Sequence, residues 1–201
     1  PLTKTGKYKT WHLADERFFN ELNKKPVLIN SCRGGVTDTK AWKKAIEEGL
    51  VSGSVIDCWE NEPDIDTELL EMADIATPHV AGYSADGKWT ATKMTLQNLC
   101  DFFHLDIDPV KLMPPIPAPD DPVIDVKNID PQRQITHAVL HTYNPLKETE
   151  ALKKSPEKFY YFRSHYPLRR EYKAYTVINA DPVPANVLQQ LGFNVEFLKN
   201  D

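Results

Sequence analysis

Three apolar runs in the first half of the chain each give way to a short polar segment. They are Pro26-Val27-Leu28-Ile29-Asn30, Ser54-Val55-Ile56-Asp57 and Asp74-Ile75-Ala76-Thr77. Between the first two lies a helical pattern: Thr37 or Asp38 as N-cap, Ala41, Trp42, Ala45 and Ile46 as one face, and Gly49 as the stop. A helical turn around Leu69, Leu70 and Met72 precedes the third, and Phe18, Phe19 and Leu22 suggest a short helix before the first. Strands that alternate with helices over short loops make βαβ units and a parallel sheet. Few other architectures accept this pattern.

The polar segments that follow these strands carry the chemistry. Arg33 lies in Asn30-Ser31-Cys32-Arg33-Gly34-Gly35, Glu62 in Asp57-Cys58-Trp59-Glu60-Asn61-Glu62-Pro63, and His79 in Thr77-Pro78-His79-Val80-Ala81-Gly82. In open α/β sheets, ligands bind beyond the carboxyl ends of the strands. An arginine fork matches a carboxylate with two parallel hydrogen bonds, and a histidine can give or take a proton near neutral pH. A glutamate on the second ring nitrogen would fix that histidine's orientation. Each residue also has an ordinary reading, as a loop-capping arginine, a packed histidine or a solvated acid. Their placement after successive strands is what favours a site. Asp57 ends an apolar strand, so its carboxylate needs partners, for which a carboxamide NH2 group or a backbone cap would serve.

Composition narrows the partners. The net charge of −5 over 201 residues argues against a nucleic-acid surface. No apolar run approaches the ~18 residues of a membrane span, and Pro1 opens on polar sequence with no signal-peptide pattern. Three cysteines, Cys32, Cys58 and Cys100, suit reduced thiols and a cytoplasmic setting better than a disulfide framework. Nothing marks Cys32 or Cys58 as a nucleophile. His137 and His141 have metal-pair spacing but lack the glutamate of a His-Glu-x-x-His motif, so no metal is expected.

A long helix is expected from Ala85 to Phe103, with Leu96, Leu99, Cys100 and Phe103 on its buried face. Six prolines then fall between Pro109 and Pro122, a density that excludes helix and central strand. The expected division is 1–105 for the sheet and its return helix, 106–120 for a Pro-rich linker, and 121–201 for a second domain. In that domain Val123-Ile124-Asp125-Val126, Tyr175-Thr176-Val177-Ile178 and Val195-Glu196-Phe197-Leu198 read as strands. Ile135, Val139, Leu140 and Tyr143 mark one helix, Val187, Leu188 and Leu191 another, and Phe159 to Tyr166 a third. Tyr160, Tyr161, Phe162 and Tyr166 are more aromatic surface than so small a unit hides easily, which suggests a subunit interface. Arg163, Arg169, Arg170 and Lys173 form a basic cluster that could meet a phosphate or remain a solvated face.

Residues 1 to about 104 resemble the D-isomer-specific 2-hydroxyacid dehydrogenases. The resemblance rests on the Pro1-Leu2-Thr3-Lys4-Thr5 loop and on the Arg33, Glu62 and His79 segments, in order and spacing. Tyr83-Ser84 and the proline-linked extension look most like the branch that acts on a small phosphorylated 2-hydroxy acid and carries a C-terminal dimerisation domain. The resemblance implies a partial doubly wound (Rossmann-type) α/β sheet followed by a small α+β dimerisation domain, with NAD as cofactor and a homodimer formed through 121–201. It implies that Arg33 holds the substrate carboxylate, His79 takes the hydroxyl proton and Glu62 orients His79. Asp57 would bind the nicotinamide carboxamide, Ser31, Cys32, Arg33 and Gly82 would line the cofactor, and Tyr83 would contact the substrate. Another D-2-hydroxyacid dehydrogenase, such as a phosphoglycerate or hydroxypyruvate enzyme, stays open, as does a non-catalytic NAD-sensing or dimerising relative. The family's Gly-x-Gly-x-x-Gly turn and the ribose-binding acid ~20 residues after it are not in this sequence. The chain is therefore expected to be a piece of a longer protein that, alone, neither binds NAD tightly nor turns over.

Overall fold

The structure, a computed structural model, describes residues 2–196. In chain order the elements are α1 (Glu16–Asn20), β1 (Val27–Asn30), α2 (Thr39–Glu47), β2 (Gly53–Ile56), α3 (Thr67–Met72), β3 (Ile75–Ala76) and α4 (Ala85–Phe103). Then follow β4 (Val123–Asp125), α5 (Pro131–Thr142), α6 (Pro145–Lys154), α7 (Phe159–Ser164), β5 (Thr176–Ile178), α8 (Pro182–Leu191) and β6 (Asn194–Glu196). Short 3-10 turns interrupt the loops, at Gly34–Val36 and Pro109–Leu112 among others.

Two compact units result, Pro1–Ala81 with Pro145–Tyr166, and Gly82–Asn144 with Pro167–Asp201. In the first, β1, β2 and β3 pair in parallel in that order. Asn30 is level with Ile56, and Ile56 with Ala76, so residues 31–33, 57–63 and 77–79 leave the sheet at one edge. Asp38 caps α2 through the Lys40 and Ala41 amides, and Asp66 caps α3 through Leu69. Trp42, from α2, is 1% exposed and donates its indole N–H to Ser54 of β2 at 3.0 Å, so the largest side chain of this core has no unpaired polar atom.

Two boundaries differ from the sequence expectation. Residues 82–105, read with the sheet as its return helix, belong to the second unit, because α4 packs on the segment that follows it rather than on the sheet. Residues 145–166, read as part of 121–201, pack in the first unit. Leu152 of α6 and Phe159 of α7 are 0% and 1% exposed and share a core with Ile56, Leu70 and Ala76. Thr149 accepts the Ala76 amide of β3 at 2.9 Å, and Lys153 donates to the Glu71 and Ala73 carbonyls. Pairings across such sequence separations leave no periodic trace, which is why the sequence did not reveal them. Tyr160 and Tyr161, by contrast, stay exposed.

In the second unit β4, β5 and β6 also pair in parallel, so the α+β layout expected there takes the form of a second parallel sheet. Its core is Ile124, Val126, Ala138, Tyr175, Val177, Leu188 and Phe193. The third predicted strand is present as Asn194–Glu196, while Phe197 and Leu198 lie outside the described residues. α4 runs over the predicted residues, but of its expected buried face only Cys100 is buried; Leu99 and Phe103 are 49% and 58% exposed. Helical spacing reports which residues share a face, not whether anything covers it. The proline-rich stretch is tied down by Trp89, which donates to the Pro114 carbonyl at 3.0 Å, and by Arg170, which donates to that of Pro117.

Candidate active site at the carboxyl edge of the first sheet

The sheet edge brings Glu62 and His79 into direct contact. His79 Nδ1 lies 2.8 and 3.0 Å from the two Glu62 carboxylate oxygens. Glu62 Oε1 also accepts the Trp59 amide at 2.8 Å, which folds the 59–62 turn onto itself and aims the carboxylate at the ring. Both side chains are mostly buried, at 19% and 16% exposure. His79 holds a left-handed backbone, φ 56°, which costs a non-glycine residue of order 1–3 kcal/mol and so needs the surrounding bonds to hold it.

Asp57 supplies the restraint that keeps His79 there. Its Oδ1 accepts the Thr77 hydroxyl and the Val80 amide, both at 2.7 Å, and its Oδ2 accepts the Ala81 amide at 3.1 Å. The carboxylate is 5% exposed and clamps the loop on both sides of His79. Of the two uses open to it from sequence, the backbone cap is the one visible here, and a carboxamide would have to share Oδ2. Trp59 adds a third tie, donating its indole N–H to the Thr77 carbonyl at 3.0 Å.

Arg33 sits at the end of β1, exposed, with Nη1 donating to the Cys32 carbonyl at 2.6 Å. A guanidinium has five N–H donors, so this bond leaves a fork to present. Gly34, next to it, is required by packing: a Cβ there would stand 1.8 Å from the Trp59 carbonyl oxygen. Asn30, which the sequence reading passed over, joins the two loops. Its side-chain amide donates to the Arg33 and Cys58 carbonyls, and its carbonyl oxygen accepts the Cys32 amide. The signal was a carboxamide closing an apolar strand, at 4% exposure once folded.

Burial, with the Asp57 and Glu62 charges, pushes the Cys58 thiol up to about 12, so it stays protonated and inert. Cys32 is exposed beside Ser31 at the β1 end. Gly82 and Tyr83 belong to the second unit. Gly82 takes φ 76° and leaves a Cβ position open, and Lys88 Nζ lies 4.6 Å over the Tyr83 ring. The predicted basic cluster does not stand as one patch. Arg163 of α7 is 4.0 Å from Glu62 Oε2. In the second unit Arg170 and Lys173 pair with Asp86, and Arg169 stacks on Tyr143. Among the described residues no three His, Cys, Asp or Glu gather as a metal ion would need. His141 instead bonds the Asp121 carbonyl at 3.0 Å. No helix among them is long and apolar enough to cross a membrane.

Comparison with known proteins matches this edge. Residues 2–81 match the family described as D-isomer specific 2-hydroxyacid dehydrogenase, NAD binding domain. Residues 116–192 match a separate domain of unknown function, DUF3410. Erythronate-4-phosphate dehydrogenase of Bacteroides thetaiotaomicron is 51% identical over 89% of this chain and 49% of its own length. That of Porphyromonas gingivalis is 43% identical over 96% and 52%. The chain thus spans about half the length of the curated relatives it matches. A crystal structure of D-lactate dehydrogenase from Aquifex aeolicus, complexed with NAD and lactic acid, aligns with 51% of this chain and 36% of its own at TM-score 0.41 and 28% identity.

Parallel strands deliver Ser31, Cys32 and Asp57 to the edge where such sheets hold dinucleotides. Gly34 lets the first two loops close to contact distance beneath it.

Proposed function

We propose that the protein containing this chain oxidises 4-phospho-D-erythronate to 2-oxo-3-hydroxy-4-phosphobutanoate with NAD, as a step toward pyridoxal phosphate. One observation carries the reading: His79 is bonded to Glu62 through Nδ1 only, leaving Nε2 without a hydrogen bond, on a loop at the ligand edge of the sheet. The names of the relatives favour this substrate over other 2-hydroxy acids.

In this reading Arg33 grips the substrate carboxylate and so fixes C2 and its hydroxyl against the sheet edge. The chemistry NAD supplies when bound is acceptance of hydride from C2. His79 takes the hydroxyl proton at Nε2 as the C–H bond breaks, leaving the 2-oxo product and an imidazolium. Glu62 stabilises that imidazolium and holds the ring to one orientation. Asp57 holds the loop through Val80, Ala81 and Thr77, and would hold the nicotinamide carboxamide of a bound NAD. Backbone groups of Ser31, Cys32, Arg33 and Gly82 line the cofactor, and Tyr83 meets the substrate. The protein works in the cytoplasm as a homodimer joined through residues 121–201; the exposed Tyr160 and Tyr161 supply apolar surface for that contact.

The test is NADH formation from 4-phospho-D-erythronate by the full-length enzyme, compared with 3-phosphoglycerate and glycerate. Preference for either competitor would sink the substrate assignment. The 201-residue chain alone lacks a Gly-x-Gly-x-x-Gly turn and is expected to give no NADH.

A further inference from the structure

The residue proposed to meet the substrate, Tyr83, leads directly into α4, and the start of α4 is bound by a segment 84 or more positions away. Ser84 caps the helix by accepting the Gly87 amide at 2.9 Å, and its hydroxyl donates to Glu171 Oε1 at 2.8 Å. The Ala85 amide donates to the Arg169 carbonyl at 2.8 Å. Asp86, 1% exposed, receives Arg170 Nε at 2.8 Å, Arg170 Nη2 at 3.3 Å and the Glu171 amide at 2.9 Å. Lys173 Nζ lies 3.4 Å from its other oxygen. Gly87 is needed for this closeness, since a Cβ would stand 2.9 Å from Ser84 Oγ and 3.2 Å from the Gly82 carbonyl.

Such a cluster is more than a helix needs to begin. One N-cap side chain ordinarily satisfies the first free amides. Here a buried carboxylate, a guanidinium fork and two backbone bonds from residues 169–171 converge on one turn. Gly82, just before it, holds φ 76°, and a Cβ there would meet open space.

We infer that residues 169–173 form a strap that fixes the Gly82–Gly87 turn, so that Arg170 and Asp86 are positioning residues for substrate contact by Tyr83. The segment lies in the region matched to a domain of unknown function. The inference rests on the proposed role of Tyr83.

The experiment uses the full-length enzyme with Arg170→Gln, Arg170→Lys and Tyr83→Phe. It reads amide hydrogen exchange over residues 82–88 and KM for 4-phospho-D-erythronate and for NAD. Arg170→Gln should speed exchange at Ala85 and Gly87 about 10-fold or more, since a charge-assisted bond to a buried group is lost. It should raise KM for 4-phospho-D-erythronate about 5-fold while KM for NAD stays within about 2-fold, and Arg170→Lys should recover part of both losses. Unchanged exchange in Arg170→Gln overturns the strap. Faster exchange with substrate KM unmoved, when Tyr83→Phe does raise it, overturns the positioning role. If Tyr83→Phe leaves KM unchanged, the assignment of Tyr83 fails, while faster exchange still supports the strap. Asp86→Asn is the harsher variant, and Arg170→Gln keeps the test valid if it does not fold.

Discussion

Among the described residues the first unit holds two histidine–carboxylate pairs, and they differ in how many ring nitrogens are engaged. His12 Nε2 lies 2.7 Å from Glu60 and its Nδ1 3.2 Å from Asp38, so both ring nitrogens are engaged. His79 engages Glu62 through Nδ1 alone, and its Nε2 makes no hydrogen bond. The backbone does not separate them, since φ is 50° at His12 and 56° at His79. What differs is the acid's other duties. Glu60 accepts the Thr39 amide at 2.9 Å at the start of α2, so His12 serves a structural joint that also stacks on Trp11. Glu62 accepts the amide of the turn that carries it, has Arg163 4.0 Å away, and sits at the carboxyl edge of the sheet. A short histidine–acid contact is therefore not a site by itself; the proposed role of His79 rests on its spare nitrogen at the carboxyl edge of the sheet.

The sharpest way to break this contrast is to remove each ring. In the full-length enzyme, His79→Ala should lower kcat by about 1,000-fold, as expected for loss of a positioned base, while His12→Ala leaves kcat within about 3-fold. Near-normal turnover in His79→Ala would end the catalytic assignment. The acids should divide the same way. Glu62→Gln keeps the shape but not the charge and should cost about 30-fold in kcat, whereas Glu60→Gln should lower thermal stability and spare turnover.

Acid titration extends the contrast to the second unit. Burial alone would raise the Asp86 carboxyl, but the Arg170 and Glu171 bonds outweigh it and hold it at about 2. A carboxylate depressed on folding gives stability that is present above its unfolded value, ~3.9, and is lost as pH falls toward the folded one. Denaturant unfolding should therefore lose about 2 kcal/mol from this group between roughly pH 5 and 2, and Arg170→Gln should flatten that slope. An equal slope in the variant would detach the shift from Arg170. Glu60 is moved the same way, below the usual carboxylate range: burial raises it, and the Thr39 and His12 bonds overcome that. The smallest effect is expected from Thr77→Val, which removes the hydroxyl bond to Asp57 and should cost about 1 kcal/mol in an unfolding titration.

Much of this was legible because it is local. Asp38 and Asp66 cap helices within three residues of themselves, and apolar runs of strand length sit where β1, β2 and β3 form. The carboxyl ends of these strands placed Arg33, Glu62 and His79 before any contact was known. Asn30 and Thr77 were overlooked because a single polar residue at a strand end carries no period, and their value lies in what they reach. The α4 face misled for a related reason: Leu99 and Phe103 share a side with buried Cys100, yet spacing cannot say what covers it.

The sequence alone determined a parallel α/β sheet with an arginine, an acid and a histidine at its ligand edge, since strand period, helix caps and turn residues act over a few positions. Tertiary structure alone decided which histidine keeps a free nitrogen, that α6 and α7 complete the first core, and that Arg170 is spent on a buried aspartate. Charged groups of one kind look alike in sequence. Their burial, and the partner that compensates it, exist only once distant segments meet.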